Sequence, residues 1–273
     1  MRLLALLLTT LLAGANVTPA LAAGQEAQIG QQVYAQLQQK GEIITSSPLY
    51  GTLNPIAMRI KRVADSQYQY PFHFILVHEK QPNAFAVPGG NVYVTDSLMH
   101  FVQNTEELAG VLCHETSHDI HHDVVNNMRK DQNLAIGATV LSLLLGAHSG
   151  IANSGINLLA NLQAQSYSRE VETAADQKGS DTCAAAGYNP WGMIWLFENF
   201  EKSQTGGQME MLSDHPTDSH RIADLKVHFR DNPARFGRFS SHIATGTPLR
   251  DSSGDTRALA DRPYSVLATR GAR

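Results

Sequence analysis

The chain has 273 residues, 42% of them apolar and 17% charged, enough to bury a sizeable core, which excludes sustained disorder. A formal net charge of −4, with no basic stripe, argues against nucleic acid as a partner. Two cysteines, Cys113 and Cys183, exclude a disulfide scaffold and a four-cysteine zinc site; both read as buried small apolar residues, with a single disulfide between them as the alternative.

Met1-Arg2, an apolar run from Leu3 to Leu12 and the small residues of Pro19-Ala20-Leu21-Ala22 have the form of a secretory signal peptide cut near Ala22. No cysteine follows that would accept a lipid anchor. Residues 1–22 are therefore expected to be a cleaved leader, and the remainder to work in an exported, oxidising compartment, the periplasm. Residues 23–232 are the expected folded domain. Residues 233–273, dominated by Arg, Asp, Ser, Gly and Pro, read as a flexible tail.

Ile29, Val33 and Leu37 lie at helical spacing and predict a helix over 25–40. Asn54-Pro55 reads as an N-cap with Pro at the first helical position, and Ile56, Ile60 and Val63 continue that helix. Residues 72–77 read as a strand. Residues 84–87 and 91–95 read as two more, around the turn Pro88-Gly89-Gly90. Asn104 and Glu107 form a capping box that opens a helix reaching about Asn127. Residues 132–168 carry no Asp, Glu, Lys or Arg. The apolar part, 134–162, is short for a membrane span. It reads as a mobile hairpin over the cleft and a candidate peripheral membrane contact, with a fixed core helix as the competing reading. Helices over 169–186, 191–200 and 218–229 complete the chain. Helices, a small sheet, then helices again make the fold class α+β, mostly helical, with a small antiparallel sheet.

The chemistry centres on His114-Glu115-Thr116-Ser117-His118. Residues four apart share a helix face, so both imidazoles can hold one metal ion. Glu115 beside them can take a proton from the attacking water and return it to a leaving amine. Zinc suits two imidazoles plus a carboxylate, and a catalytic zinc needs a third protein ligand. Glu172 and Asp176, again four apart, offer two carboxylates. One would bind the metal and the other would accept the free ring N–H of a ligand histidine.

Four blocks together resemble one family: His114–His118, Ser168-Arg-Glu-Val-Glu-Thr-Ala-Ala-Asp176 with Gly179, Asn83-Ala-Phe-Ala-Val-Pro-Gly-Gly90, and His215-Pro-Thr-Asp-Ser-His-Arg221. The chain is similar to zinc metallopeptidases of the HtpX, BepA and LoiP type, relatives of the CAAX prenyl proteases, over roughly residues 25–230. The resemblance implies a gluzincin fold with one Zn2+ per chain, held by His114, His118 and Glu172. It implies that Asp176 orients a ligand, and that Glu170 stands outside the set. His215 would donate to the developing oxyanion or cap the metal in a resting state, with Arg221 bracing its loop. Asn83 and Ala84 would lie on an edge strand that binds extended polypeptide substrates by strand addition. The implied function is an endopeptidase acting on unfolded or misassembled proteins in the cell envelope, in reach of its assembly machinery. The alternative is a chaperone-like assembly factor with latent protease activity. His121 and His122 read as a solvated helix end, with a second metal site as the sharper alternative.

Overall fold

The computed structural model describes residues 19–130, 166–203 and 219–249, together with Leu162 and His215. The expected leader up to residue 18, the expected hairpin apart from Leu162, and the chain beyond 249 lie outside the described residues. The elements run α1 (Pro19–Lys40), α2 (Leu49–Ala64), β1 (His73–Val77), β2 (Ala84–Val87), β3 (Asn91–Thr95), α3 (Asp96–Phe101), α4 (Thr105–Ile120) and α5 (Asp123–Lys130). After the segment outside the description come α6 (Arg169–Ala186), α7 (Trp191–Ser203), α8 (Ser219–Asp231) and the short α9 (Pro233–Phe236). The chain is α+β and mostly helical.

The sheet is mixed rather than purely antiparallel. Its order is β1-β3-β2. β2 and β3 form the antiparallel hairpin read from the sequence, with Phe85 opposite Tyr93. β1 pairs parallel to β3, Ile75 opposite Tyr93. The far edge of β1 is covered by residues 42–44, through Ile44 N to Leu76 O and His78 N to Glu42 O, which leaves β2 as the other edge. Both faces of the sheet are buried, so its strands are near-continuous apolar runs. Phe74, Leu76, Val92 and Val94 face the main core of α2, α4, α6 and α7. Ile75, Val77 and Tyr93 face Ile29, Val33 and Leu37 of α1. Each such aliphatic side chain contributes ~1.5–3 kcal/mol on burial.

Three expectations shift. Helix α2 begins at Leu49, so Asn54 lies inside it and Pro55 is an internal proline. Tyr50, Leu53, Ala57, Ile60 and Ala64 continue one buried stripe, and that burial outweighs the hydrogen bond proline removes. The helix opened by Asn104 stops at Ile120 and restarts at Asp123, because His122 adopts a left-handed conformation with φ 57°. The flexible tail does not begin at 233. Phe236 is buried, Trp195 Nε1 donates to Ser241 O at 3.0 Å, and Thr247 N donates to Glu106 Oε2 at 2.7 Å. Residues 233–249 thus cross back to the N-terminal end of α4.

Cys113 and Cys183 are buried as read but not as plain apolar residues: they form a disulfide between α4 and α6, with Cα atoms 5.9 Å apart. Gly179 lets the same two helices close up. A Cβ there would stand 3.0 Å from the His114 backbone, tighter than ordinary packing.

Candidate metal centre

Half of the expected capping box forms: Asn104 Oδ1 accepts from Glu107 N at 2.9 Å, while the Glu107 carboxylate accepts from Gln103 N and Asn104 Nδ2. This cap starts α4, which presents His114 and His118 on one face with their Nε2 atoms 3.1 Å apart. Glu172 reaches the same point from α6. Its carboxylate oxygens lie 3.5 Å from His114 Nε2 and 3.8 Å from His118 Nε2. His215 completes the group, with Nδ1 2.9 Å from Glu172 Oε1 and 3.4 Å from His114 Nε2. One donor atom from each of these four buried residues falls within 4.8 Å of the others. No other such group occurs among the described residues, and His121 and His122 belong to none there.

The back of each imidazole is held by a carboxylate. His114 Nδ1 is 3.0 Å from Asp176 Oδ1, and His118 Nδ1 is 2.8 Å from Asp123 Oδ2. His118 therefore carries its proton on Nδ1 and turns the Nε2 lone pair inward, and the Asp176 charge beside His114 Nδ1 favours the same arrangement there. Two convergent lone pairs beside a carboxylate repel unless a cation lies between them, so this donor set fits a zinc ion. Electrostatics agree. Burial opposes charge on His114, but Asp176 and Glu172 outweigh it and carry the imidazole up to about 10. A cation at Nε2 takes the place of that second proton. Burial, helped by His114 and His215, pulls His118 down to about 3, which keeps it neutral, the form able to ligate a metal. Glu172 is held well below the usual carboxylate range. Burial opposes this, but the charge of His215, the bond from His114 and Arg221 prevail.

Arg221 is a member of the centre rather than a loop brace alone. It is 1% exposed. It donates to both oxygens of Asp176 at 2.8 and 2.7 Å, lies 2.8 Å from Glu172 Oε2 and reaches His215 O at 3.4 Å. Glu170, two residues from Glu172, is exposed.

Glu115 is buried between the metal face and the sheet. Its Oε2 accepts from Ala86 N on β2 at 2.9 Å. Its Oε1 has no hydrogen-bond partner and lies 3.6 Å from His215 Nε2. The general-base candidate is thus aimed by the strand expected to carry substrate. The two expected strand contacts differ in where their backbone points. Asn83 uses its backbone internally, accepting from Thr95 N and donating to Thr95 Oγ1. Asn83 and Ala84 are both buried, whereas Phe85 and Ala86 are half-buried. Strand alternation therefore turns the backbone of Asn83 and Phe85 to β3 and leaves that of Ala84 and Ala86 on the free edge, where Ala86 N meets Glu115.

Two residues near the centre escaped sequence reasoning. Asp123 stands five after His118, a spacing that a continuous helix would put on another face. Tyr167 precedes the cap of α6, and its ring stacks on His118 with centroids 4.4 Å apart and planes 12° from parallel. Its place directly before the Ser168–Asp176 block was the available signal.

The family profile described as "Peptidase family M48" matches residues 51–228. The beta-barrel assembly-enhancing protease of Escherichia coli (strain K12) is 29% identical over 222 residues, 78% of this chain and 45% of that protein. The mitochondrial metalloendopeptidase OMA1 of Saccharomyces cerevisiae is 32% identical over 163 residues, 58% of this chain and 46% of that protein. Metalloprotease LoiP of Escherichia coli is 26% identical over 161 residues, 57% of this chain and 62% of that protein. The chain spans about half the length of the first of these relatives.

Proposed function

The chain belongs to peptidase family M48, and from that premise we propose that it is a zinc-dependent endopeptidase of the cell envelope, acting on unfolded or misassembled proteins. The observation that carries this reading is the convergence of His114, His118, Glu172 and His215 with Glu115 beside them on the same helix. His114, His118 and Glu172 would hold one zinc ion. Zinc bound there supplies a Lewis acid that acidifies water and polarises a carbonyl. Glu115 takes the proton of the attacking water and passes it to the leaving amine. Its free Oε1 points to the side where His215 stands, so His215 occupies the space between base and metal face. In that position it caps the centre at rest, and when displaced by substrate it can donate to the oxyanion. An extended peptide would join the free edge of β2 at Ala84–Ala86.

The disulfide between Cys113 and Cys183 supports an oxidising compartment, in line with the leader-like N-terminus. No described helix is long and apolar enough to cross a membrane. The name of the Escherichia coli relative links that protein to beta-barrel assembly, which supports an envelope assembly machine as a partner here. A chaperone-like role in assembly would use the same strand edge, but it gives no reason for Glu115 to face the metal group. Incubation with an unfolded protein such as reduced casein separates the two. Cleavage that a chelator abolishes and added zinc restores supports the peptidase. Binding without cleavage, in the presence of zinc, supports the assembly factor.

A further inference from the structure

His122 is the only described non-glycine residue with a positive φ, 57°. It sits between α4 and α5, four residues beyond His118. The backbone closes around it through His121 N to Ser117 O at 2.9 Å, His122 N to Asp119 O at 3.0 Å and Asn126 N to His122 O at 2.9 Å. Its side chain faces away from the metal group. Nδ1 meets Glu26 Oε1 of α1 at 2.5 Å, and the ring lies against Tyr68.

The consequence of this break is geometric. Five positions along an unbroken helix turn through about 500°, which leaves residues 118 and 123 roughly 140° apart. Asp123 could not then reach His118. With the left-handed residue in place, Asp123 Oδ2 comes within 2.8 Å of His118 Nδ1. Asp176 behind His114 needs no such device, because it arrives from a different helix.

We propose that His122 is a positioning residue: its left-handed backbone, rather than its imidazole, swings Asp123 behind His118 and so sets the metal affinity of the centre. This rests on the reading of His118 as a metal ligand. Glu26 holds the break from outside. Its other oxygen accepts from Tyr68 Oη at 3.0 Å and Gln69 Nε2 at 2.7 Å, so losing the His122 ring leaves the carboxylate two donors and frees only Oε1, equally in the glycine and valine variants below.

The test is zinc affinity of the full chain, measured by competition with a chromogenic chelator, with the Co2+ absorption spectrum as a report on ligand geometry. Asp123→Ala should weaken zinc about 10–100-fold, the usual effect of losing the acceptor behind a ligand histidine, and Asp123→Asn should recover most of it. His122→Gly should stay within about threefold of the wild type, because glycine adopts a positive φ freely. His122→Val should share the Asp123→Ala defect, because a β-branched residue disfavours that conformation. The double variant His122→Val/Asp123→Ala should be no weaker than Asp123→Ala alone, since both act through one contact. Wild-type affinity in His122→Val, or equal loss in His122→Gly and His122→Val, overturns the proposal. Should the valine variant fail to fold, wild-type affinity in Asp123→Ala overturns it instead. His118→Ala is the separate control: zinc retained there sinks the ligand reading itself.

Discussion

Arg221 holds Asp176 with two parallel hydrogen bonds, Nε to Oδ2 at 2.8 Å and Nη2 to Oδ1 at 2.7 Å. Asp176 stands behind His114, and the remaining arm of Arg221 lies 2.8 Å from Glu172. One buried guanidinium, packed over the Phe197 ring at 4.5 Å, therefore braces one proposed ligand, Glu172, and the carboxylate behind another, His114. Removing it leaves two buried carboxylates without their cation. Arg221→Ala should cost about 3–5 kcal/mol in urea unfolding. Arg221→Lys should not restore the loss, because a point charge cannot span the fork. An Arg221→Ala protein within 1 kcal/mol of the wild type would show that the bracing is dispensable.

Glu172 and Glu170 are two residues apart on α6 and face nearly opposite ways. Glu172→Ala should lose bound zinc on dialysis, whereas Glu170→Ala should keep it. Metal analysis of the two dialysed proteins decides the matter, and equal loss would move the third ligand elsewhere.

The Cys113–Cys183 bond closes a separation of 70 residues and ties α4 to α6 one residue from His114. A loop of that length restricts the unfolded chain by up to about 4 kcal/mol. The paired Cys113→Ser/Cys183→Ser variant should lose ~2–4 kcal/mol in urea unfolding. Addition of reductant should lower the wild type towards the variant and leave the variant unchanged. Identical midpoints for variant and wild type would mean that packing alone holds the two helices.

His73 provides a pH dependence away from the centre. Burial, helped by the Lys61 charge and opposed by Asp65, pulls it down to about 4, against ~6.5 in an unfolded chain. Between those values the unfolded chain binds a proton that the folded chain refuses. The residue's effect on stability is therefore absent above about pH 6.5 and grows as pH falls towards 4. His73→Gln should show a smaller drop in urea midpoint between pH 7.5 and pH 4.5 than the wild type. An equal drop in both would assign the acid sensitivity to other groups.

The centre was legible in the sequence where its spacing matched one regular element. His114 and His118 four apart, and Glu172 and Asp176 four apart, translate directly into two helix faces. Asp123 was hidden because its approach depends on a break that no Gly, Asn or Pro announces; His122 occupies the left-handed position. Tyr167 acts by stacking, which has no period to detect. The direction of β1 depends on which free edge of the hairpin it joins, and alternation of apolar residues is silent on that. The segment 233–249 reads as a tail because it offers few apolar side chains. It is fixed largely by backbone groups that serve Trp195 and Glu106. Helix α2 starts early because tertiary burial of Tyr50 and Leu53 overrides a local cap signal.

The most direct measurement is hydrolysis of an unfolded protein by Glu115→Gln, with the zinc content of the same sample determined in parallel. Glu115 contributes no ligand to the group formed by His114, His118, Glu172 and His215. The amide keeps an acceptor for Ala86 N but cannot take a proton. The expected result is wild-type zinc content with hydrolysis reduced at least ~100-fold. Hydrolysis at the wild-type rate with zinc in place would contradict Glu115 as the base, and with it the peptidase mechanism derived for this centre.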